Sequence, residues 1–177
     1  MTGGAAAGRG ADSATGQDGT MGPQTMELTV PGTADAVRQA LQELLPHPIF
    51  AAYSPALAVN AEIVLAEVLN NIVEHAYARH PGTITLTLRC TGAGLACLLK
   101  DRGAAMPGLA LPVGEFQDLG TVEDLPEGGF GWFLIRSLVE DLSYERRGGE
   151  NRLSFLLVDE QSAGWDAIAS NPTGLTR

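Results

Sequence analysis

One stretch of the sequence contains polar residues whose types and spacing suit cation binding. Glu67 and Asn71 lie four residues apart, so on a helix they project to the same side, and Asn70, Glu74 and His75 extend that polar face. Consecutive asparagines are unusual on a solvent-exposed helix because Asn is a weak helix former. A carboxylate and an amide oxygen one turn apart suit a hard cation such as Mg²⁺, and the carboxylate could also orient a nucleophile. The alternative is an ordinary solvated helix face.

Two glycine-containing groups lie at the ends of expected elements. Asp101–Gly103 follows an apolar strand, a place where a carboxylate often accepts hydrogen bonds and the backbone passes close to a ligand. Glu127–Gly131 precedes a helix, and the backbone amides of a glycine-rich turn at a helix N-terminus suit a di- or triphosphate. It matches neither the G-x-x-x-x-G-K-[ST] loop nor the G-x-G-x-x-G fingerprint. The alternative for Asp101–Gly103 is an ordinary exit from a strand, and the alternative for Glu127–Gly131 is a flexible loop that ends at a helix.

The elements that must position these residues follow from hydrophobic periodicity and turn residues. Helical spacing predicts a helix that is capped by Thr33 or Asp35 and ends before Pro46, and a long helix from Ala56 to about Ala78. A third helix is expected over Gly131–Asp141. The expected strands are 26–30, 83–89, 95–100, 142–146 and 152–158, with a long loop or lid over 103–129.

This order of elements predicts an α+β fold, a two-layer α/β sandwich of mostly antiparallel strands with helices on one face. Residues 1–25 contain no Val, Ile, Leu or aromatic residue, so we expect a flexible N-terminal tail. The folded domain is expected over residues 26–158, and a C-terminal tail over 159–177.

Composition narrows the class of protein. The chain of 177 residues has 11 basic and 21 acidic residues and a formal charge of −10, which argues against direct nucleic-acid binding. The sequence contains no continuous apolar run of membrane-spanning length and no apolar N-terminal signal segment, so we expect a cytoplasmic protein without a membrane segment. Cys90 and Cys97 lie in apolar stretches without metal-ligand spacing, and we interpret them as core thiols.

Taken together, the three groups resemble the conserved boxes of a known superfamily. Glu67-x-x-x-Asn71 on a helix, Asp101-x-Gly103 after a strand and Gly129-x-Gly131 before a helix are similar, in order and spacing, to the N, G1 and G2 boxes of the GHKL ATPases. Within that superfamily, the segments EVLNNIVEHAY and GGFGWFLIRSLVEDL look most like the bacterial anti-sigma-factor serine kinases.

The resemblance implies a Bergerat ATP-binding fold and a role for each matched residue. Asn71 would bind the Mg²⁺ that bridges the triphosphate, and Glu67 would be the general base that activates an acceptor serine. Asp101 would accept the adenine amino group, and Gly103 would let the base approach. Two further glycines, Gly129 and Gly131, would let the lid fold over the phosphates, and His75 would have a packing or supporting role.

The resemblance also implies partners. In the family, the phosphoryl group goes to a Ser or Thr of an anti-anti-sigma protein of the STAS fold, and the unphosphorylated partner competes with a sigma factor. Family members commonly form homodimers through the sheet edge that includes the first strand, and strand 26–30 is a plausible counterpart.

Two departures from the family pattern bear on activity. Ala105 occupies the position of the second glycine in D-x-G-x-G. Residues 104–127 contain no Lys or Arg, although a triphosphate normally needs a cation, and we consider Arg79, Arg102 and Arg136 for that role. The acidic residues of this segment are Glu115, Asp118, Glu123, Asp124 and Glu127.

Two alternatives to the kinase stay open from the sequence. A histidine-kinase catalytic domain would need a phospho-accepting histidine, and neither His47 nor His80, both next to prolines, is convincing. The other alternative is an anti-sigma or partner-binding module that holds nucleotide without transferring phosphate. Such a module would need Asn71 but would not need Glu67 as a base.

Overall fold

The computed structural model describes residues 24–114 and 130–161. Over these residues the chain forms three α-helices and five strands. In chain order they are β1 (Thr25–Pro31), α1 (Ala34–Leu44), α2 (Pro55–Asn71), β2 (Thr83–Thr91), β3 (Gly94–Asp101), α3 (Phe130–Leu138), β4 (Glu140–Arg147) and β5 (Glu150–Val158). Short 3₁₀ turns occur at Pro48–Phe50 and Pro107–Leu109, and a π-helical turn at Ile72–Ala76 continues α2.

The five strands form one sheet in the order β1-β2-β3-β5-β4, and all four strand pairings are antiparallel. Alternate residues of β2, β3 and β5 are buried against the helices, as the period of two requires. The inward-facing core residues of these strands are Ile84, Leu86, Leu88, Leu95, Cys97, Leu99, Leu153, Phe155 and Leu157. The α+β prediction of an antiparallel sheet covered by helices on one face is confirmed.

The helix that bears Glu67 and Asn71 is fixed at its N-terminus by polar contacts. Ser54 is its N-cap, and the Ser54 hydroxyl accepts from the Leu57 amide at 3.3 Å. The Ser54 amide in turn donates to the Asp159 carboxylate at 3.0 Å. Asp159 is buried, so this first residue of the expected C-terminal tail packs against the start of α2. Residues 1–23 and 162–177, which contain most of both expected tails, lie outside the described residues.

The segment Pro55–Ala76, which comprises α2 and the π-helical turn, is the central helical element of the core. By length and apolar composition it also meets the criterion for a membrane-spanning helix. Core helices of globular domains meet the same criterion. Here seven of its side chains are buried in the core: Leu57, Ala61, Val64, Leu65, Val68, Leu69 and Ile72.

Two helix ends differ from the sequence prediction. The long helix changes at Ile72 to a π-helical turn, in which the Tyr77 amide donates to the Ile72 carbonyl at 3.1 Å. The third helix ends at Leu138, so the expected extension to Asp141 is wrong. Glu140 already belongs to β4 and pairs with Leu156 of β5, and the register shifts between Glu140 and Ser143, where Asp141 has a φ of 53°.

The two cysteines lie where the sequence predicts. Cys97 is buried on the inner face of β3, and burial raises the pKa of its thiol. Cys90 is half-buried and packs against the same core. Both are free thiols.

Tyr77, the residue that follows the π-helical turn, connects α2 to the sheet. Its ring lies between Gly32 and Gly82, and a Cβ added at either glycine would collide with the ring carbons. Its hydroxyl donates to the Thr83 carbonyl at 2.6 Å and accepts from the Arg102 amide at 3.1 Å. Tyr77 therefore links the end of α2 to the start of β2 and to the exit of β3.

This packing predicts unequal effects of two Gly→Ala substitutions. Gly82→Ala should lower the free energy of unfolding by about 1–3 kcal/mol, because the new methyl group overpacks the Tyr77 ring. Gly92→Ala is the matched control, since nothing lies within 4 Å of its added Cβ. Urea unfolding of both variants measures the difference, and equal stabilities would contradict the proposed contact.

Candidate active site

A cavity of about 1440 Å³ lies where the C-terminal end of α2, the segment after β3 and the start of α3 meet. This volume is sufficient for a ligand of nucleotide size. Of the residues to which the resemblance gives a binding or catalytic role, Asn71, Asp101 and Gly103 line it, whereas Glu67 and Gly131 do not. His75 and Arg79, which follow Asn71, also line the cavity.

Asp101 is the last residue of β3 and is buried, with 6% of its surface exposed. Its Oδ1 accepts from the Gly103 amide and from the Asn151 side chain, each at 2.8 Å. Burial raises the pKa of Asp101, while the hydrogen bonds from Asn151 and Gly103 and the nearby Arg146 charge oppose that rise. A buried carboxylate in a cavity wall is a typical recognition group for a ligand with a hydrogen-bond donor.

Gly103 lies directly against the end of α2. A Cβ at this position would be 2.5 Å from the Ala76 carbonyl oxygen, and the next amide, that of Ala104, donates to the same oxygen at 2.9 Å. The sequence interpretation gave Gly103 the role of admitting a ligand base. The structure provides a second reason for glycine here, because only a residue without a Cβ permits this close packing.

Glu67, Asn71 and Gly131 meet beside the cavity. A Cβ added at Gly131 would collide with Oε2 of Glu67 and would lie 3.8 Å from Nδ2 of Asn71. Glu67 and Asn71 are both half-buried on the same side of α2, as their spacing predicts. The first turn of α3 therefore packs against this carboxylate–amide pair because Gly131 has no side chain. Gly129, the other glycine of the motif, lies outside the described residues.

The Asn71 amide has an unusual environment for a buried polar group. Its Nδ2 atom is buried and has no hydrogen-bond partner among the described residues. Unpaired buried polar atoms are rare and often mark positions that a ligand completes. Within the described part of the chain, no group of three or more His, Cys, Asp or Glu side chains is arranged to hold a metal ion. The Nδ2 donor cannot ligate a cation and would instead pair with an acceptor of the ligand. Mg²⁺ takes oxygen ligands, which the Asn71 amide oxygen and a phosphate would provide, so the residues present fit this ion.

The three arginines considered for phosphate binding differ in their contacts. Arg136 Nε donates to the Pro112 carbonyl at 2.9 Å, and Arg102 forms an ion pair with Glu150 at 3.5 Å. Arg79 and Arg102 line the cavity, whereas Arg136 is on the outer side of α3. The five acidic residues between 115 and 127 lie outside the described residues.

The sequence interpretation missed three residues that contact the Asp101 region. They are Asn151, Tyr144 and Arg146, all on the hairpin of β4 and β5. One signal was available for Asn151. Asn151 occupies the first inward position of β5, and the following inward positions are Leu153, Phe155 and Leu157. A polar residue in such a row is an exception, because a buried polar group needs a hydrogen-bond partner.

A two-layer sandwich with a buried acid at a strand end and a carboxylate–amide pair on the central helix defines a nucleotide-binding domain of the Bergerat type. The family model for the histidine kinase-like ATPase domain matches residues 30–157. The chain belongs to this family.

Similar proteins come from several bacteria. The chain is 35% identical over 134 residues to serine/threonine-protein kinase BtrW of Bordetella bronchiseptica, a match that covers 73% of this chain and 89% of the relative. It is 26% identical over 155 residues to serine-protein kinase RsbW of Halalkalibacterium halodurans, covering 85% of this chain and 95% of the relative. Over 83 residues it is 34% identical to serine-protein kinase RsbW of Bacillus cereus, a match that covers 46% of this chain and 52% of the relative. The resemblance inferred from the sequence motifs is confirmed.

The contact between Gly131 and Glu67 predicts a variant that separates folding from chemistry. Gly131→Ala should keep or slightly raise stability, because Ala favours a helix over Gly by about 1 kcal/mol and only the flexible end of Glu67 must move. Phosphoryl transfer from ATP should fall by about 10- to 100-fold, since the carboxylate is displaced. Ser137→Ala on the same helix is the control, and unchanged transfer in Gly131→Ala would contradict this role of the contact.

Proposed function

We propose that this protein is a Mg²⁺- and ATP-dependent protein serine/threonine kinase that also acts as an anti-sigma factor. The observation that supports this most directly is Glu67, whose carboxylate lies beside Gly131, one helical turn before the cavity-lining Asn71. A domain that only holds nucleotide has no need of a carboxylate at this place. The names of its relatives, serine/threonine-protein kinase and serine-protein kinase, support the same reaction.

The proposed mechanism assigns a separate task to each part of the cavity. Asp101 accepts a hydrogen bond from the adenine amino group, and Gly103 lies beside the base. Asn71 would hold Mg²⁺ through its amide oxygen, and the ion would supply positive charge to neutralise the phosphates. Glu67 accepts the proton of the attacking serine hydroxyl. Gly129 and Gly131 would let the lid fold over the phosphates, as the family resemblance implies. Positioning and charge neutralisation then provide most of the rate enhancement.

The proposed partners follow from the family resemblance. The acceptor is a Ser or Thr of a STAS-domain anti-anti-sigma protein, and the unphosphorylated form of that protein competes with a sigma factor for this chain. We further propose that the protein is cytoplasmic and forms a homodimer through β1. Support for the dimer comes from the position of β1 at an edge of the sheet.

A second candidate function is a nucleotide-holding module that sequesters its partner without phosphorylating it. Phosphoryl transfer needs a cation beside the terminal phosphate, and two of the nearby arginines have other partners. Arg136 binds a backbone carbonyl and Arg102 pairs with a glutamate, which favours this second function. Among the three arginines considered, only Arg79 both lines the cavity and has no ion pair with a described residue.

Glu67→Gln distinguishes these two functions. The amide keeps the size of the side chain but cannot accept a proton, so transfer of labelled γ-phosphate to a STAS-domain protein should fall by at least about 100-fold. Affinity for ATP, measured by titration calorimetry on the same sample, should change by less than about threefold. Glu62→Gln, an exposed glutamate of the same helix, is the matched control and should keep full activity.

Each outcome of this experiment has a definite meaning. Transfer by the unaltered protein that is lost in Glu67→Gln supports the kinase. ATP binding with no transfer to any STAS-domain protein supports the sequestering module. No ATP binding by the unaltered protein would overturn both.

Asp101→Asn tests the recognition of the base. The amide oxygen can still accept from Gly103 and Asn151, but the amide nitrogen replaces the acceptor proposed for adenine. ATP affinity should therefore fall by about tenfold or more, with the fold preserved. Calorimetric titration with ATP measures the loss, and unchanged affinity would contradict the assignment.

The same substitution has a predicted effect on stability with pH. Because burial raises the pKa of Asp101 in the folded state, the folded protein binds this proton more tightly than the unfolded chain. The contribution of Asp101 to stability therefore increases as the pH falls through the interval between its unfolded and folded pKa values. Asp101→Asn removes this contribution, and urea unfolding at several pH values measures it.

A further inference from the structure

Asn151 lies opposite Asp101 in the sheet and faces the same side. The two residues are paired in the register of β3 and β5, and both are buried, with 6% of Asp101 and 5% of Asn151 exposed. A buried amide at the first inward position of an apolar strand costs free energy unless its polar atoms are paired. The contacts of Asn151 therefore indicate why a polar residue is tolerated here.

All the hydrogen-bonding capacity of the Asn151 side chain is used. Its Nδ2 donates to Asp101 Oδ1 at 2.8 Å and to the Ala104 carbonyl at 2.9 Å. Its Oδ1 accepts from the Tyr144 hydroxyl at 2.8 Å and from Arg146 Nη1. An amide has two donor hydrogens and two acceptor lone pairs, so none is left for a ligand.

These four contacts also determine the orientation of the amide. If it were flipped, its oxygen would face the Asp101 carboxylate and the Ala104 carbonyl, and its NH₂ group would face the donor groups of Arg146. The flip would place acceptor against acceptor and donor against donor, so the observed orientation is strongly preferred. Asn151 can therefore influence a bound ligand only through Asp101 and the Ala104 segment.

At Asp101, the described hydrogen bonds both end on one oxygen. Asn151 and the Gly103 amide donate to Oδ1, and no described residue donates to Oδ2. Two donors on one oxygen fix the rotation of the carboxylate. They leave Oδ2 as the acceptor for a ligand.

Side chains of the β4–β5 hairpin also form hydrogen bonds with backbone atoms of residues 103–106, the segment that follows β3. The Tyr144 hydroxyl accepts from the Met106 amide at 3.1 Å, and Arg146 Nη1 donates to the Gly103 carbonyl at 3.1 Å. With the Asn151 contact to Ala104, three backbone positions of the segment 103–106 are bound to β4 and β5 side chains. This segment lines the cavity next to Asp101.

We propose that Asn151, supported by Tyr144 and Arg146, is the positioning residue for base recognition, since it orients the Asp101 carboxylate and fixes the adjoining cavity wall. The inference rests on the proposed function, in which Asp101 binds adenine. Asn151 itself does not touch the nucleotide. It determines how well the site distinguishes adenine, which offers an amino hydrogen, from guanine, which presents a carbonyl oxygen at the same place.

The experiment compares ADP and GDP binding, because the two ligands share the diphosphate and differ in the base. Asn151→Leu keeps the approximate size of the side chain but removes all four hydrogen bonds. ADP affinity should fall by about tenfold or more, and the preference for ADP over GDP should decrease with it. Ser154→Ala, on the opposite face of the same strand, is the control and should keep the unaltered preference.

The pH profile of ADP binding provides a readout that a loss of packing alone would not change. Charged groups near Asp101 are Arg146 of β4, Glu150 of β5 and Arg102 after β3. The other titratable or charged residues that line the same cavity follow α2: Glu74, His75, Arg79 and His80. In the unaltered protein, affinity should fall on acidification as Asp101 is protonated. In Asn151→Leu this fall should begin at a higher pH, because a hydrogen bond that favours the ionised form is lost.

Asn151→Asp should add a second loss of binding at higher pH. While the introduced carboxyl is protonated, it can donate to ionised Asp101 as the amide does, so binding should be strongest at intermediate pH. At higher pH both carboxyls ionise, and their repulsion should weaken ADP binding. Tyr144→Phe removes one hydroxyl without a change in packing volume and tests the network if the Asn151 variants do not fold. Tyr144→Phe should lower the preference for ADP over GDP, by a smaller factor than Asn151→Leu does.

The outcomes separate this inference from the function on which it rests. If the unaltered protein binds no ADP, the proposed nucleotide function fails. If it binds ADP, and folded Asn151→Leu and Tyr144→Phe keep the same ADP-to-GDP ratio and the same pH profile, the positioning role is overturned and the nucleotide function stands. A lower ratio together with a shifted acid limb supports the role of Asn151.

Discussion

The contact between the end of α2 and the exit of β3 is the constraint on which the candidate site depends. Gly103 packs against the Ala76 carbonyl, and the Ala104 amide donates to the same oxygen at 2.9 Å. This contact brings the helix of Glu67 and Asn71 next to the strand that ends in Asp101. A side chain at position 103 would separate the two elements, because its Cβ would have to occupy the space of a backbone oxygen.

The π-helical turn before this contact accommodates the junction. A π-turn inserts one residue into the helical repeat, and such turns are frequent at functional sites. Beyond Asn71, the turn changes which side chains face the cavity, so that Glu74, His75 and Ala76 line it in succession. Tyr77 then fixes the end of the turn through its contacts with Thr83 and Arg102.

The two halves of the candidate site are held by different physical means. On the Glu67 side, the geometry depends on close packing, because the end of the Glu67 side chain occupies the space that a Cβ at position 131 would need. On the Asp101 side, it depends on a network of buried hydrogen bonds that includes Asn151, Tyr144 and Arg146. Networks of this kind are rigid when every member is paired, which suits the recognition of a flat and polar base.

Much of the architecture and several site residues could be predicted from the sequence because they depend on local patterns. Periods of 3.6 and 2 located the helices and strands, and the four-residue spacing of Glu67 and Asn71 placed them on one side of α2. The tertiary structure alone decided the end of α3, where pairing of Glu140 with Leu156 replaces the expected helical turn. It also decided the role of Asn151, which lies 50 residues from Asp101 in the chain. Hydrogen bonds and strand pairing between residues so distant depend on the register of the sheet, which local sequence patterns do not specify.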